Sequence, residues 1–133
     1  MTPILDGTEE TGSHWHSSYH THRTLITIDF DHTITKNCPA CPDWNGEYIL
    51  QEGVKDALSK LAKDFEIVIL SGGGNYIPDY KQRIITFLNK HSIPYDRVIA
   101  NKPPACFMID DRAIHHKGWK ETLSEIQRRI AVK

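Results

Sequence analysis

Apolar residues recur along this chain in short blocks separated by turn formers, and the first regular block begins at Thr24. "TLITIDF" is brief and rich in β-branched and aromatic residues, the composition of a buried parallel strand. Ile34 to Gln51 then mixes Cys, Pro, Asn and Gly; within it "DWNGEYI" sets Asn45-Gly46 between apolar residues, which predicts a tight β-hairpin. Val54, Ala57, Leu58, Leu61 and Ala62 fall at helical spacing. "FEIVIL" (65–70) predicts a second buried strand that ends in the turn "SGGGN". Pro78 suits the first turn of another helix, with Tyr80, Ile84, Phe87 and Leu88 on its apolar side and Lys90 and His91 near its end. "RVIA" and "ACFMID" predict two more strands separated by "NKPP", and Trp119, Leu123, Ile126 and Ile130 mark one face of a last helix. The order β–hairpin–α–β–α–β–β–α is mostly alternating and predicts a three-layer α/β/α domain, Rossmann-like, with a parallel sheet.

Residues 1–22 depart from this pattern. They carry Thr, Ser, Gly, Glu and four histidines (His14, His16, His20, His22) without sustained periodicity, and read as a poorly ordered arm ahead of a single domain over 23–133. A chain of 133 residues has room for one core of ordinary size and not for two.

Composition narrows the classes. Apolar content of 39% and charged content of 25% suit a globular domain. A net charge of −1 provides no field for nucleic acid or for an anionic membrane surface. No apolar run approaches the roughly 20 residues that span a bilayer, and the N-terminus lacks a secretory pattern. Three cysteines, an odd number, fit a reducing compartment, so a cytoplasmic location is expected.

Ligands of open parallel sheets gather beyond the carboxyl ends of the strands. "TLITIDFDHT", "FEIVILSGGG" and "ACFMIDDR" all end in chemically capable residues, so the predicted sheet brings Asp29, Asp31, Ser71, Asp110 and Asp111 to one edge, with Lys102 on an adjoining loop. Four carboxylates in one crevice require a cation, and all-oxygen ligands suit Mg²⁺. The rest describes phosphoryl transfer. A carboxylate can attack phosphorus, a lysine and the metal can neutralise the transferring group, and a serine and Gly-rich amides can hold phosphate oxygens. A second carboxylate can protonate the leaving oxygen and then activate water.

With these motifs in this order, the sequence resembles the haloacid dehalogenase-like (HAD) hydrolase superfamily from about residue 24 to the last helix. The motifs are "DFDHT" after a hydrophobic strand, Ser71 in "VILSGG", Lys102 in "NKPP", and Asp110-Asp111 in "FMIDDR". The resemblance implies a magnesium-dependent phosphatase. Asp29 would be nucleophile and metal ligand, and Asp31 the general acid/base with its carbonyl on the metal. Ser71 and Gly72 would bind the phosphate, and Lys102 would orient the nucleophile. Asp110 would be a metal ligand, Asp111 a ligand or its supporting partner, and Thr33 would lock the loop after the first strand. An acid at Asp31 is absent from dehalogenating members and replaced by threonine in ion pumps. Receiver domains use a similar kit, but their paired acids come first, whereas here they come last. The short insertion of Ile34 to Gln51 is enough for a β-hairpin flap and too small for a cap domain, so the site would be open. An open site permits large substrates, but the near-neutral charge weighs against nucleic acid, and a phosphorylated small molecule is the expected substrate ahead of a polynucleotide end or a phosphoprotein; a silent binding module is the non-enzymatic alternative. An oligomer could supply the missing cover.

Cys38 and Cys41 in "CPAC" have the spacing of half a zinc site, with the arm's histidines as candidate partners for a structural Zn²⁺. Cys106, inside a predicted strand, reads as core. Trp44 and Tyr48 flank the predicted hairpin turn and could cover a substrate or simply pack on their own domain. His115, His116 and Lys117 read as solvated loop.

Overall fold

The computed structural model describes residues 25–131. The arm predicted over residues 1–22 lies outside them. In chain order the elements are β1 (Leu25–Asp29), α1 (Val54–Leu61), β2 (Glu66–Leu70), a short 3₁₀ turn (Gly73–Asn75), α2 (Tyr80–Lys90), β3 (Arg97–Ile99) and α3 (Trp119–Ala131).

The three strands form a parallel sheet in the order β1-β2-β3, compatible with a Rossmann-like fold. Leu25 to Asp29 pair with Glu66 to Leu70, and Val68 to Leu70 pair with Arg97 to Ile99. β2 is central, and its Ile67, Val68 and Ile69 are all buried, as expected of a strand covered on both faces. Asp96 extends the β2–β3 pairing. Its N–H reaches Ile67 O at 2.8 Å, and its Oδ2 accepts the Ile67 N–H, also at 2.8 Å.

α1 starts after Gly53, which is left-handed (φ 83) and lies 3.5 Å (as a projected Cβ) from the Trp119 Cβ, so α1 and α3 meet at their beginnings. α2 lies against β3 and the 3₁₀ turn. The predicted apolar faces are the buried ones in α1 (Val54, Ala57, Leu58, Leu61) and in α2 (Tyr80, Ile84, Phe87, Leu88). Asp79 adopts the left-handed conformation (φ 63), so α2 begins at Tyr80 and Pro78 precedes it. In α3 Trp119 and Ile126 are buried, while Ile130, expected in the core, is half exposed.

Two predicted elements are replaced. The β-hairpin flap over 34–51 is a closed loop with a single antiparallel bridge, Thr35 to Leu50. Its arms are held by the Asn37 side chain, which donates to Glu47 O at 2.8 Å and accepts from Ile49 N at 3.0 Å. Pro39 and Pro42 remove backbone donors on one arm, so a side chain does what a strand ladder would have done. Asn45 and Gly46 (φ 96) do turn the chain.

The predicted strand "ACFMID" does not form: residues 105–110 run outside the sheet. Phe107, Met108 and Ile109 are exposed, and so is Cys106, which the sequence placed in the core. Pro103-Pro104 withhold two N–H donors just ahead of the segment, and among the described residues the outer edge of β1 has no partner strand. No helix among the described residues is long and apolar enough to cross a membrane.

Candidate active site

The "DFD" at the end of β1 is built by strand alternation. Side chains two apart share a face, so Asp29 and Asp31 share one side while Phe30 between them turns into the core. Phe30 is fully buried, 5.2 Å from the Tyr48 ring and 5.8 Å from Phe87. Its N–H extends the pairing to Leu70 O at 2.8 Å, and its carbonyl accepts the N–H groups of Thr33, Ile34 and Thr35. This tight turn presents the two acids. The hydroxyl that bridges it is Thr35's, which takes the His32 N–H and donates to Asn37 O, rather than that of Thr33. Thr33 contributes its carbonyl, which accepts from Trp119 Nε1 at 2.9 Å.

The ends of β2 and β3 supply the facing groups. Ser71 is fully buried, its N–H on Ile99 O and its carbonyl accepting from Lys102 N, both at 2.9 Å. That backbone tie brings Lys102 across the top of the sheet, where Nζ contacts Asp29 Oδ1 at 3.0 Å. Asn75, which the sequence did not single out, fixes the same loop by donating to Lys102 O at 2.8 Å. Two glycines of "SGGG" are required by close approach: a Cβ on Gly73 would collide with the Tyr80 ring, and one on Gly74 with the Ala100 carbonyl. The Gly72 N–H has no partner among the described residues.

The two aspartates sit in different environments. Asp29 is 40% exposed and bound by Lys102 on one oxygen. Asp31 is enclosed, accepting from Ser71 Oγ on Oδ2 at 2.9 Å and from Tyr80 OH on Oδ1 at 3.1 Å. Burial pushes its carboxyl above the ordinary range; the hydroxyls of Ser71 and Tyr80 oppose that shift, and the Asp29 charge adds to it. Tyr48 OH donates in turn to Tyr80 OH, and burial pushes the Tyr80 phenol strongly upward, keeping it a donor. Tyr80 was visible only as an apolar helix position. The signal that could have found it is chemical: a buried tyrosine hydroxyl must find a partner. Tyr48 packs on Phe30, Phe87 and Trp44, so the loop covers its own domain.

Asp110 and Asp111 do not join this group. Both are exposed beside Arg112, whose backbone N–H and guanidinium bind Asp110 and hold its carboxyl below the usual range. The magnesium set implied by the resemblance is therefore not assembled. Asp110 is tied to Arg112 and Asp111 is exposed beside it, so of the implied ligands only Asp29 Oδ2 and the Asp31 carbonyl remain at the end of β1, neither with a hydrogen bond among the described residues. The described residues that do bring three ligand atoms within reach of one ion are His32, Cys38 and Cys41.

Comparison with family models and with curated proteins finds no match. Among solved structures, the chain resembles a crystal structure of a structural-genomics target from Vibrio cholerae. The two are 28% identical with a TM-score of 0.60, over 79% of this chain and 94% of that one.

Proposed function

We propose that this chain is a phosphomonoester phosphatase of the HAD-like kind, with Asp29 as nucleophile. One observation carries the reading. At adjoining strand ends, a half-exposed carboxylate is paired with a lysine while a second, two residues on, is enclosed by hydroxyls. Two acids held in such different environments suit two different tasks.

Lys102 holds Asp29 Oδ1, which leaves Oδ2 to attack phosphorus. The P–O bond to the leaving group breaks as the aspartyl-phosphate forms, and the Lys102 ammonium balances charge on the transferring group. Asp31, whose burial favours the protonated carboxyl, gives its proton to the departing alkoxide. The resulting carboxylate then takes a proton from the water that cleaves the acyl-phosphate, releasing phosphate and restoring Asp29. Ser71 differs from its expected part. Its hydroxyl donates to Asp31 and accepts the Gly73 N–H, so it orients the acid, and the phosphate oxygens are left to Lys102 and the Gly72 amide. None of these steps passes through magnesium, because the acids in their present places do not form its site; dependence on the ion is read by assay.

The test is release of p-nitrophenol from p-nitrophenyl phosphate, and of phosphate from a panel of small phosphomonoesters, with and without Mg²⁺. Turnover that disappears in Asp29→Asn supports the reading. Absence of turnover across the panel, with the ion present, overturns it in favour of a binding module. Undiminished activity in Asp29→Asn removes Asp29 as nucleophile.

A further inference from the structure

The loop after β1 carries three soft-metal donors for which the phosphatase reading has no use. Cys41 Sγ lies 2.9 Å from Cys38 Sγ and 3.2 Å from His32 Nε2, and the three ligand atoms fall within 4.8 Å of one another. The sulfur separation is far beyond the ~2.05 Å of a disulfide, and both cysteines are free thiols. The turn that places them is local, with Cys41 N–H on Cys38 O at 3.0 Å.

His32 is the informative member. It is left-handed (φ 66), a conformation that costs a histidine free energy and must be held by its surroundings. Its N–H donates to Thr35 Oγ1 and its carbonyl accepts from Gln51 Nε2 at 3.0 Å. The backbone is thus fixed on both sides, and the ring is turned onto the sulfurs.

We propose that His32, Cys38 and Cys41 form a zinc site of two thiolates and one imidazole, with a fourth position open to solvent. Binding Zn²⁺ displaces one proton from each thiol to bulk water, while the neutral His32 ring contributes the Nε2 lone pair. Two thiolates neutralise the dication. Tetrahedral Zn–S bonds of about 2.3 Å set sulfurs roughly 3.8 Å apart, so the pair opens by about 1 Å on filling, within side-chain rotation. The ion would clasp the turn that presents Asp31 to the loop that carries Tyr48, a positioning role independent of whether Asp29 is a nucleophile. The four arm histidines, named as candidate zinc partners, lie outside the described residues.

The test uses the full chain, reduced and stripped with chelator, then titrated with Zn²⁺ and, for spectroscopy, Co²⁺. The expected result is about one equivalent bound per chain, with intense thiolate-to-cobalt charge-transfer absorption of a tetrahedral site. Cys38→Ser and Cys41→Ser each abolish that absorption, and His32→Gln weakens affinity by roughly 10- to 100-fold while leaving thiolate bands. Cys106→Ser, and a variant with Asn at His14, His16, His20 and His22 together, keep the wild-type spectrum. Wild-type protein that takes up no metal under reducing conditions overturns the proposal, whatever the variants do. So does a Cys38–Cys41 disulfide that persists in reductant, or a cobalt spectrum without thiolate bands.

Discussion

Two stretches of this chain look alike on paper: "LITIDFD" and "ACFMIDD" are both short apolar runs that end in two acids. The first is a paired strand whose Ile28 and Phe30 are 5% and 0% exposed; the second leaves Phe107 and Ile109 at 85% and 98%. What separates them is neighbours. β1 has β2 alongside to take its backbone hydrogen bonds, and Phe30 has Tyr48 and Phe87 to pack on. The second run follows Pro103-Pro104, gains no ladder, and its acids find only the arginine next to them. A hydrophobic run becomes a strand when a partner satisfies its backbone, since an unpaired buried amide costs about as much as burying a side chain returns. The same difference divides the acids by partner: Asp29 has Lys102 and Asp31 has Ser71 and Tyr80, whereas Asp110 and Asp111 have the neighbouring Arg112.

The largest effects should come from the acids themselves. Asp29→Asn is expected to lower kcat by roughly 10³-fold or more, as loss of a nucleophile does, whereas Asp110→Asn and Asp111→Asn leave most of the activity if their segment stays outside the site. Equal losses from Asp29 and Asp110 would break the comparison, because they would place 105–111 beside β1 during turnover. Steady-state kinetics on p-nitrophenyl phosphate at saturating Mg²⁺ separates the two outcomes.

Stability should split the same way. Phe30→Ala removes a fully buried ring and is expected to cost about 3–5 kcal/mol, while Ile109→Ala, at an exposed position, should stay within about 0.5 kcal/mol. Urea unfolding followed by circular dichroism gives both numbers. A large cost at Ile109 would show that the run is covered in solution.

A smaller effect tests the enclosure of Asp31. Tyr80→Phe keeps the ring that Gly73 accommodates and removes the hydroxyl that donates to Asp31 Oδ1 and accepts from Tyr48 OH. A hydrogen bond to a charged group is worth about 1.5–3 kcal/mol, so kcat should fall roughly 10- to 100-fold, and the unfolding midpoint should fall as well because Tyr48 OH loses its acceptor. An unchanged kcat would remove Tyr80 from the acid's support.

These contrasts also mark what could be read in advance. The helical faces of α1 and α2 followed from spacing alone, because a 3.6-residue period leaves a stripe that only a core can use. Asp29, Asp31, Ser71 and Lys102 were found together because each ends a strand or opens the next loop, and parallel strands end on one side. The fourth strand and the hairpin were misread for one reason: both depend on pairing, which a period-2 or turn pattern permits but does not supply. Ser71's hydrogen bond to Asp31 was hidden because the sequence shows a hydroxyl at a strand end without its acceptor. Tyr80 and Asn75 act through groups 49 and 27 residues away in sequence, which no local pattern records. His32 was passed over because its neighbours in "DFDHT" claimed the motif, and its approach to Cys38 and Cys41 needs the left-handed turn at its own Cα.

The smallest effect locates where the exposed run rejoins the fold. His115 is exposed, but His116 bonds Thr122 Oγ1 at 2.7 Å through Nδ1 and Gln51 Oε1 at 3.2 Å through Nε2, with its ring 4.7 Å from Trp119. Burial, and then the neighbouring His115 charge, hold the His116 imidazole below its ordinary value, while Glu121 pulls it slightly the other way. A histidine whose folded-state pKa is depressed makes the unfolded chain the stronger proton binder. Its share of stability is intact above about pH 6.5 and declines as the pH falls from there, levelling off once the folded form also protonates. Urea midpoints measured in steps from neutral pH downward should therefore drift lower in the wild type. His116→Gln should flatten part of that drift, and His115→Gln should leave it unchanged or reduce it only slightly, by removing a nearby charge. Identical slopes in all three proteins would mean that His116 is as solvated as His115.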